Sequence, residues 1–163
     1  METGTPAFYL EVSMLNGDGI NYKNEELTND EFWPDLNLGD FQKSRAIPAN
    51  IDADFIADAL LTTVTEINSE LKDVKSYWLS KGFNQAKDVP GAKIKGVNAL
   101  CAQYKKAVYA RAKADLLGEY LSIVSRAPNP QQESDELRSR LLAESTFVIR
   151  NMKQLPRITV KMI

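Results

Sequence analysis

An all-α fold, a bundle of three long antiparallel helices with a short one beside them, is what this 163-residue sequence predicts. Three observations carry that expectation. Apolar residues recur in steps of three and four through three separate stretches. Proline and glycine punctuate the chain between those stretches. The connections so marked are short, as antiparallel helical neighbours require. Around this body, residues 47–155, the sequence places an extended, acidic N-terminal arm over 1–46 and a β-competent C-terminal tail over 156–163.

Within the arm, Ala7-Phe8-Tyr9-Leu10-Glu11-Val12-Ser13-Met14 favours an extended strand through its aromatic and β-branched content. Asn16-Gly17-Asp18-Gly19 is a strong turn signal, and Ile20-Asn21-Tyr22 is fit to begin a return strand. Residues 23–31 are acidic and polar and read as a linker. Phe32-Trp33-Pro34-Asp35 is an aromatic pair locked by proline, followed by Leu36, Leu38 and Phe41. Aromatics in so irregular a segment anchor it, against the chain's own helices by preference or against a neighbouring subunit. Gly39 to Arg45 reads as a helical turn.

The first long helix is expected from Asp52, a good N-cap, to a stop at Gly82. Its stripe is Ile56, Leu60, Val64, Ile67, Leu71, Val74 and Trp78, and Asp88-Val89-Pro90 closes the loop that follows. The second helix is expected over about 97–125, with Leu100, Tyr104, Ala107, Val108, Leu117, Tyr120, Leu121 and Val124 on one face. Alanines at 99, 102, 107, 110, 112 and 114 thin it and permit close approach of a partner helix. Gly118 costs this helix about 1 kcal/mol relative to alanine, which implies a packing reason. Ala127-Pro128-Asn129-Pro130 breaks the chain. The third helix is expected over about 132–154 behind Ser134, with Leu137, Leu141, Val148, Met152 and Leu155 in its stripe and Ala143, Phe147 and Ile149 widening it. After Pro156, Arg157-Ile158-Thr159-Val160-Lys161-Met162-Ile163 alternates polar and apolar until its final pair, a strand signal with no partner strand in the helical body.

Composition narrows the chemistry. The formal net charge is −2, which argues against a general nucleic-acid binder. With no histidine, the commonest general base and metal ligand is missing, and Cys101, the single cysteine, has no histidine to activate it. Gly91-Ala92-Lys93-Ile94-Lys95-Gly96 has the glycine spacing of a phosphate loop, but Val97-Asn98 stands where Lys and Ser or Thr are needed. Acidic pairs such as Glu66 and Glu70 lie at helix-surface spacing and read as a solvated face. Lys105, Lys106, Arg111 and Lys113 make a modest basic patch, read first as a solvated helix face. No catalytic, cofactor or metal site is expected, and an enzyme is improbable. The N-terminus lacks the pattern of a secretory signal and no apolar run is of membrane-spanning length, so the chain reads as made in the cytoplasm with no membrane partner.

Four stretches taken together carry a family resemblance. Phe32-Trp33-Pro34-Asp35, Thr65-Glu66-Ile67-Asn68-Ser69-Glu70-Leu71, Gly82-Phe83 with Asp88-Val89-Pro90, and Pro156-Arg157 with the hydrophobic tail to Ile163 resemble, in order and spacing, the head completion (head stabilisation) proteins of contractile-tailed temperate phages, the GPL family. The resemblance covers about residues 32–163. It implies a structural virion protein at the head–tail neck that acts after DNA packaging. In that role it forms a ring of about twelve copies under the portal, the symmetric solution for a small protomer. Such a ring seals the filled head and presents a surface to a downstream stopper or tail-terminator protein. On this reading Arg157, Ile158, Val160, Met162 and Ile163 contact the portal or a neighbour, and Phe8, Tyr9, Val12, Phe32, Trp33 and Pro34 serve the arm's subunit interface. Contact with packaged DNA would be non-specific at most. The alternative is a DNA-binding helical accessory protein of packaging, which duplex binding that weakens steeply with salt would distinguish.

Overall fold

The computed structural model describes residues 21–123 and 130–154, with side chains at 119–134 excluded. Helices dominate. In chain order the elements are β1 (Glu26–Leu27), β2 (Leu36–Asn37), α1 (Leu38–Ser44), α2 (Ala53–Glu70), α3 (Lys72–Ser80), a 3-10 turn (Ala86–Asp88), β3 (Lys93–Ile94), β4 (Val97–Asn98), α4 (Ala99–Ile123) and α5 (Pro130–Met152).

The first expected helix forms with its expected cap, since the Asp52 carboxylate accepts from the Asp54 amide at 2.8 Å. Every apolar position of its stripe from Ile56 to Val74 is buried, and Trp78 is half-buried. It is nevertheless two helices. The chain leaves helical geometry at Leu71, fully buried, and resumes as α3. Proline and glycine are both absent from this stretch, so the break carries none of the usual signals. At the far end Gly82 behaves as expected. It adopts φ +89, its amide donates to the Leu79 carbonyl and that of Phe83 to the Trp78 carbonyl. This is the Schellman arrangement, completed by the edge-on contact of Phe83 with Trp78 at 5.8 Å.

α4 lies between α2 and α5, antiparallel to both. Against α2, Thr63 meets Asp115 while Asn68 meets Tyr104. Against α5, Arg138 lies over Gly118 and donates to the Ala114 carbonyl, Ala110 and Ala114 pack with Leu141, and the last turn of α5 reaches the first turn of α4. A β-carbon on Gly118 would sit 3.2 Å from Arg138 Nε, which is the packing reason its presence implied. Two neighbours bury α4 on more than one face. Ala107, Val108, Tyr109 and Ala110 are consecutive and all buried, as are Ala112, Ala114 and Leu116. A helix so enclosed loses the one-sided stripe expected of it. α5, whose main partner is α4, is the reverse case. It buries Leu141, Val148, Ile149 and Met152, whereas Leu137, Ala143 and Phe147, expected in its stripe, are exposed.

Two further expectations change. The 23–31 linker contributes β1, whose Glu26 and Leu27 pair antiparallel with Asn37 and Leu36. The segment from Phe32 to Ile47, expected largely in the arm, delivers Phe32, Trp33, Leu36, Leu38, Phe41 and Ile47 to the same core as the helices. The hairpin expected before residue 23 lies outside the described residues, except for Asn21 and Tyr22, which form no strand.

Candidate functional site

Among the described residues, the 29–35 loop meets α2 and α4 in a closely organised corner. The β1–β2 pair brings the two ends of this loop together, and the Asp35 and Asp30 carboxylates accept from the Asn29 and Trp33 amides at 2.7 and 3.0 Å. So held, Trp33 stacks flat on Tyr104, ring centres 4.7 Å apart and planes 6° from parallel, and Phe32 meets Trp33 edge-on at 4.9 Å. Above the stack runs a closed cycle of hydrogen bonds. The Tyr104 hydroxyl donates to Asn68 Oδ1 at 2.6 Å, Asn68 Nδ2 to Asn29 Oδ1 at 2.9 Å, and Asn29 Nδ2 back to the Tyr104 hydroxyl at 2.9 Å. Each group both gives and receives, so the polar atoms of the cycle itself are satisfied, whereas the buried Trp33 Nε1 beneath it has no hydrogen-bond partner. Burial pushes the Tyr104 hydroxyl far above the ordinary tyrosine range, which keeps it a neutral donor. Lys75 closes the rim through a 2.7 Å ion pair with Asp30.

A second clamp joins the loop after α3 to the start of α4. Asn98 Nδ2 donates to the Ala86 and Val89 carbonyls at 2.7 and 2.8 Å, and Asn98 Oδ1 accepts from the Cys101 amide, which caps α4. The Ala86 amide donates to the Phe32 carbonyl, linking the two clamps. Asp88-Val89-Pro90 thus belongs to a fastened loop. Sequence reasoning did not single out Asn98, although an asparagine just ahead of a periodic stretch is a helix-start signal.

A third junction gathers around Arg45 at the end of α1. Its guanidinium is bidentate to Glu144 of α5 at 3.0 and 3.2 Å and also donates to the Lys106 carbonyl. Those hydrogen bonds hold the Glu144 carboxyl below the usual carboxylate range. Lys113 donates to the Arg45 carbonyl, and burial, together with the neighbouring guanidinium, lowers its ammonium below the ordinary lysine value. Arg111 pairs with Glu70 at 2.6 Å and Glu66 at 3.6 Å. Half of the basic patch expected on this helix is therefore engaged inside the fold.

The glycine-spaced loop proves to be a β-hairpin. Lys93 pairs with Asn98 and Ile94 with Val97 around a two-residue turn in which Lys95 and Gly96 have φ of +49 and +80, the primed-turn geometry. It is no strand–loop–helix phosphate cradle. Its apolar side chains point outward, with Ile94 74% exposed. Cys101 is buried, and desolvation pushes its thiol up, away from the thiolate.

Beside this hairpin a groove of about 640 Å³ runs between α3, the start of α4 and the end of α5. Val74, Tyr77, Trp78, Pro90, Leu100 and Met152 supply most of its apolar lining, and Gln154 stands at its rim.

Of the residues expected at interfaces, Phe32 and Trp33 are each only 2% exposed. The chain's own core takes them, the preferred of the two anchorings, because the loop's carboxylate-bonded turns face them inward onto Tyr104. Pro34 is half-buried. Phe8, Tyr9, Val12, Arg157, Ile158, Val160, Met162 and Ile163 lie outside the described residues. Among the described residues no helix is long and apolar enough to cross a membrane.

Comparison with known proteins agrees with the family resemblance. Residues 27–163 match the family model described as phage head completion protein (GPL). The chain is 33% identical to the "Probable head completion/stabilization protein" of Haemophilus phage HP1 (strain HP1c1) over 147 residues, 90% of this chain and 98% of that protein. It is 22% identical to the head completion/stabilization protein of Escherichia phage P2 over 139 residues, 84% and 82% of the two chains. No solved structure matches. On these matches this chain belongs to the phage head completion protein (GPL) family, whose members are structural, non-enzymatic components of the phage head.

Proposed function

We propose that this chain completes the DNA-filled head as an adaptor. Copies pack side by side into a closed ring under the portal at the head–tail neck, and the ring offers its far face to a downstream stopper or tail-terminator protein. The observation that carries the reading is the family match, which runs from residue 27 through 163 and so takes in the clamped body and the tail together. A clamped body suits such a part, because a ring repeated about the portal axis needs protomers of one fixed shape.

The tail is the portal- or neighbour-binding element in this reading. Arg157, Ile158, Val160, Met162 and Ile163 add as a strand to a partner's edge, with main-chain hydrogen bonds for affinity and alternate side chains in pockets. Phe8, Tyr9 and Val12 give the arm its contact with the adjacent subunit, while Phe32 and Trp33 root that arm in the body. Deleting residues 157–163 tests the assignment. A protein that keeps its helical circular dichroism and melting temperature but no longer joins portal rings supports it. Normal assembly of the truncated protein sinks it.

A further inference from the structure

We propose that the groove between α3 and the end of α5 is the resting seat of this chain's own C-terminal segment, Leu155–Ile163, before assembly. The geometry of departure is the first argument. α5 ends at Met152, whose side chain helps line the groove, and Gln154 stands on its rim. Gln154 adopts φ +55, and its amide donates to the Asn151 carbonyl. A left-handed residue at a helix end turns the chain off the helix axis, and Pro156 two residues later bars any return to helix.

The second argument is complementarity. The groove offers Val74, Trp78, Leu100 and Met152 as an apolar lining, with Asp73 and Lys153 both among the polar groups beside it. The segment offers Ile158, Val160 and Met162 at alternate positions, with Arg157 and Lys161 to meet a carboxylate. Nine extended residues reach about 30 Å, ample for a groove that begins where they begin. Tethering supplies the third argument. A segment joined to the rim meets the groove at an effective concentration in the millimolar range, so modest burial suffices to seat it. The seat does not depend on the portal reading. That reading adds only that the segment must leave the groove to pair with a partner.

The two tryptophans provide the test in the full-length protein. Trp78 lines the groove, while Trp33 is buried against Tyr104 and serves as the internal control. A nitroxide on Met162→Cys, with Cys101 buried and out of reach, should broaden the Trp78 indole signal and spare that of Trp33, equally at low and high protein concentration. Ile158→Asp in the labelled chain should restore the Trp78 signal. So should Leu100→Asp, and if that variant fails to fold, Ile158→Asp still decides. An unbroadened Trp78 overturns the proposal. Broadening that persists when label and isotope sit on separate molecules overturns it too, because the occupant is then a second copy. A tail that broadens Trp78 yet whose deletion leaves assembly intact keeps the seat and removes the portal reading.

Discussion

Tyr104 and Gln103 are adjacent on α4 and face unlike surroundings. Tyr104 is fully buried in the corner, stacked on Trp33 and closed into a hydrogen-bond cycle with Asn29 and Asn68. Gln103 lines an open groove. The difference teaches how the chain divides its labour. On one face of the helix every polar atom described in the cycle has a partner and every ring a neighbour, which fixes shape. On the other, apolar surface stands open beside a hairpin whose Ile94 points into solvent, which leaves something to be joined.

Breaking the closed face should cost the most. Trp33→Ala removes the stacked ring and leaves a cavity between the loop and α4, with an expected loss of about 3–5 kcal/mol in urea unfolding. Tyr104→Phe keeps the ring stack but strands Asn68 Oδ1 and leaves Asn29 Nδ2 with the Pro34 carbonyl alone, and should cost about 1–3 kcal/mol by the same measurement. Acid should probe the Arg45 junction. Because the folded state holds the Glu144 carboxyl below its ordinary value of 4.5, its contribution is present above that value and is lost as pH falls through the lower, folded one. The stability gap between the wild-type protein and Glu144→Gln should accordingly be open at neutral pH and close in acid, as pH-dependent melting would record. On the open face, Ile94→Ser should shift stability by less than about 0.5 kcal/mol. If it unfolds the protein instead, the division between a closed and an open face fails.

The sequence made some of this legible and hid the rest for identifiable reasons. Ile56 to Val74 could be read because α2 and α3 bury a single stripe, and the Asp52 cap and Gly82 stop announced their ends through local hydrogen bonding. α4 gave a misleadingly narrow stripe because it has neighbours on more than one side, so burial follows no helical period there. Phe147 misled in the opposite sense, since its apolar character does not say which face of α5 turns to the core, and it is exposed. The break at Leu71 left no local trace. The corner was half visible. Phe32-Trp33-Pro34 announced an anchor, but Asn29, Asn68 and Tyr104 are polar or amphipathic residues whose partnership exists only once loop and helices meet. The tail, expected as a strand without a partner, lies outside the described residues, and its alternation of side chains is what the proposed seat draws on.

The corner also governs when folding is complete. α4 and α5 follow one another across a short connection, so their pairing closes a small loop and is cheap in chain entropy. Tyr104, by contrast, must find Asn29 across 75 positions and Asn68 across 36. Contacts of that separation are expected to form late, after the helical hairpin has provided a surface to fold against. A molecule whose Tyr104 hydroxyl is still solvated has its helices but not its final shape. The hydrogen-bond cycle is thus the latch that separates a helical chain from a finished part, and the ring proposed above requires that latch to be shut in every protomer.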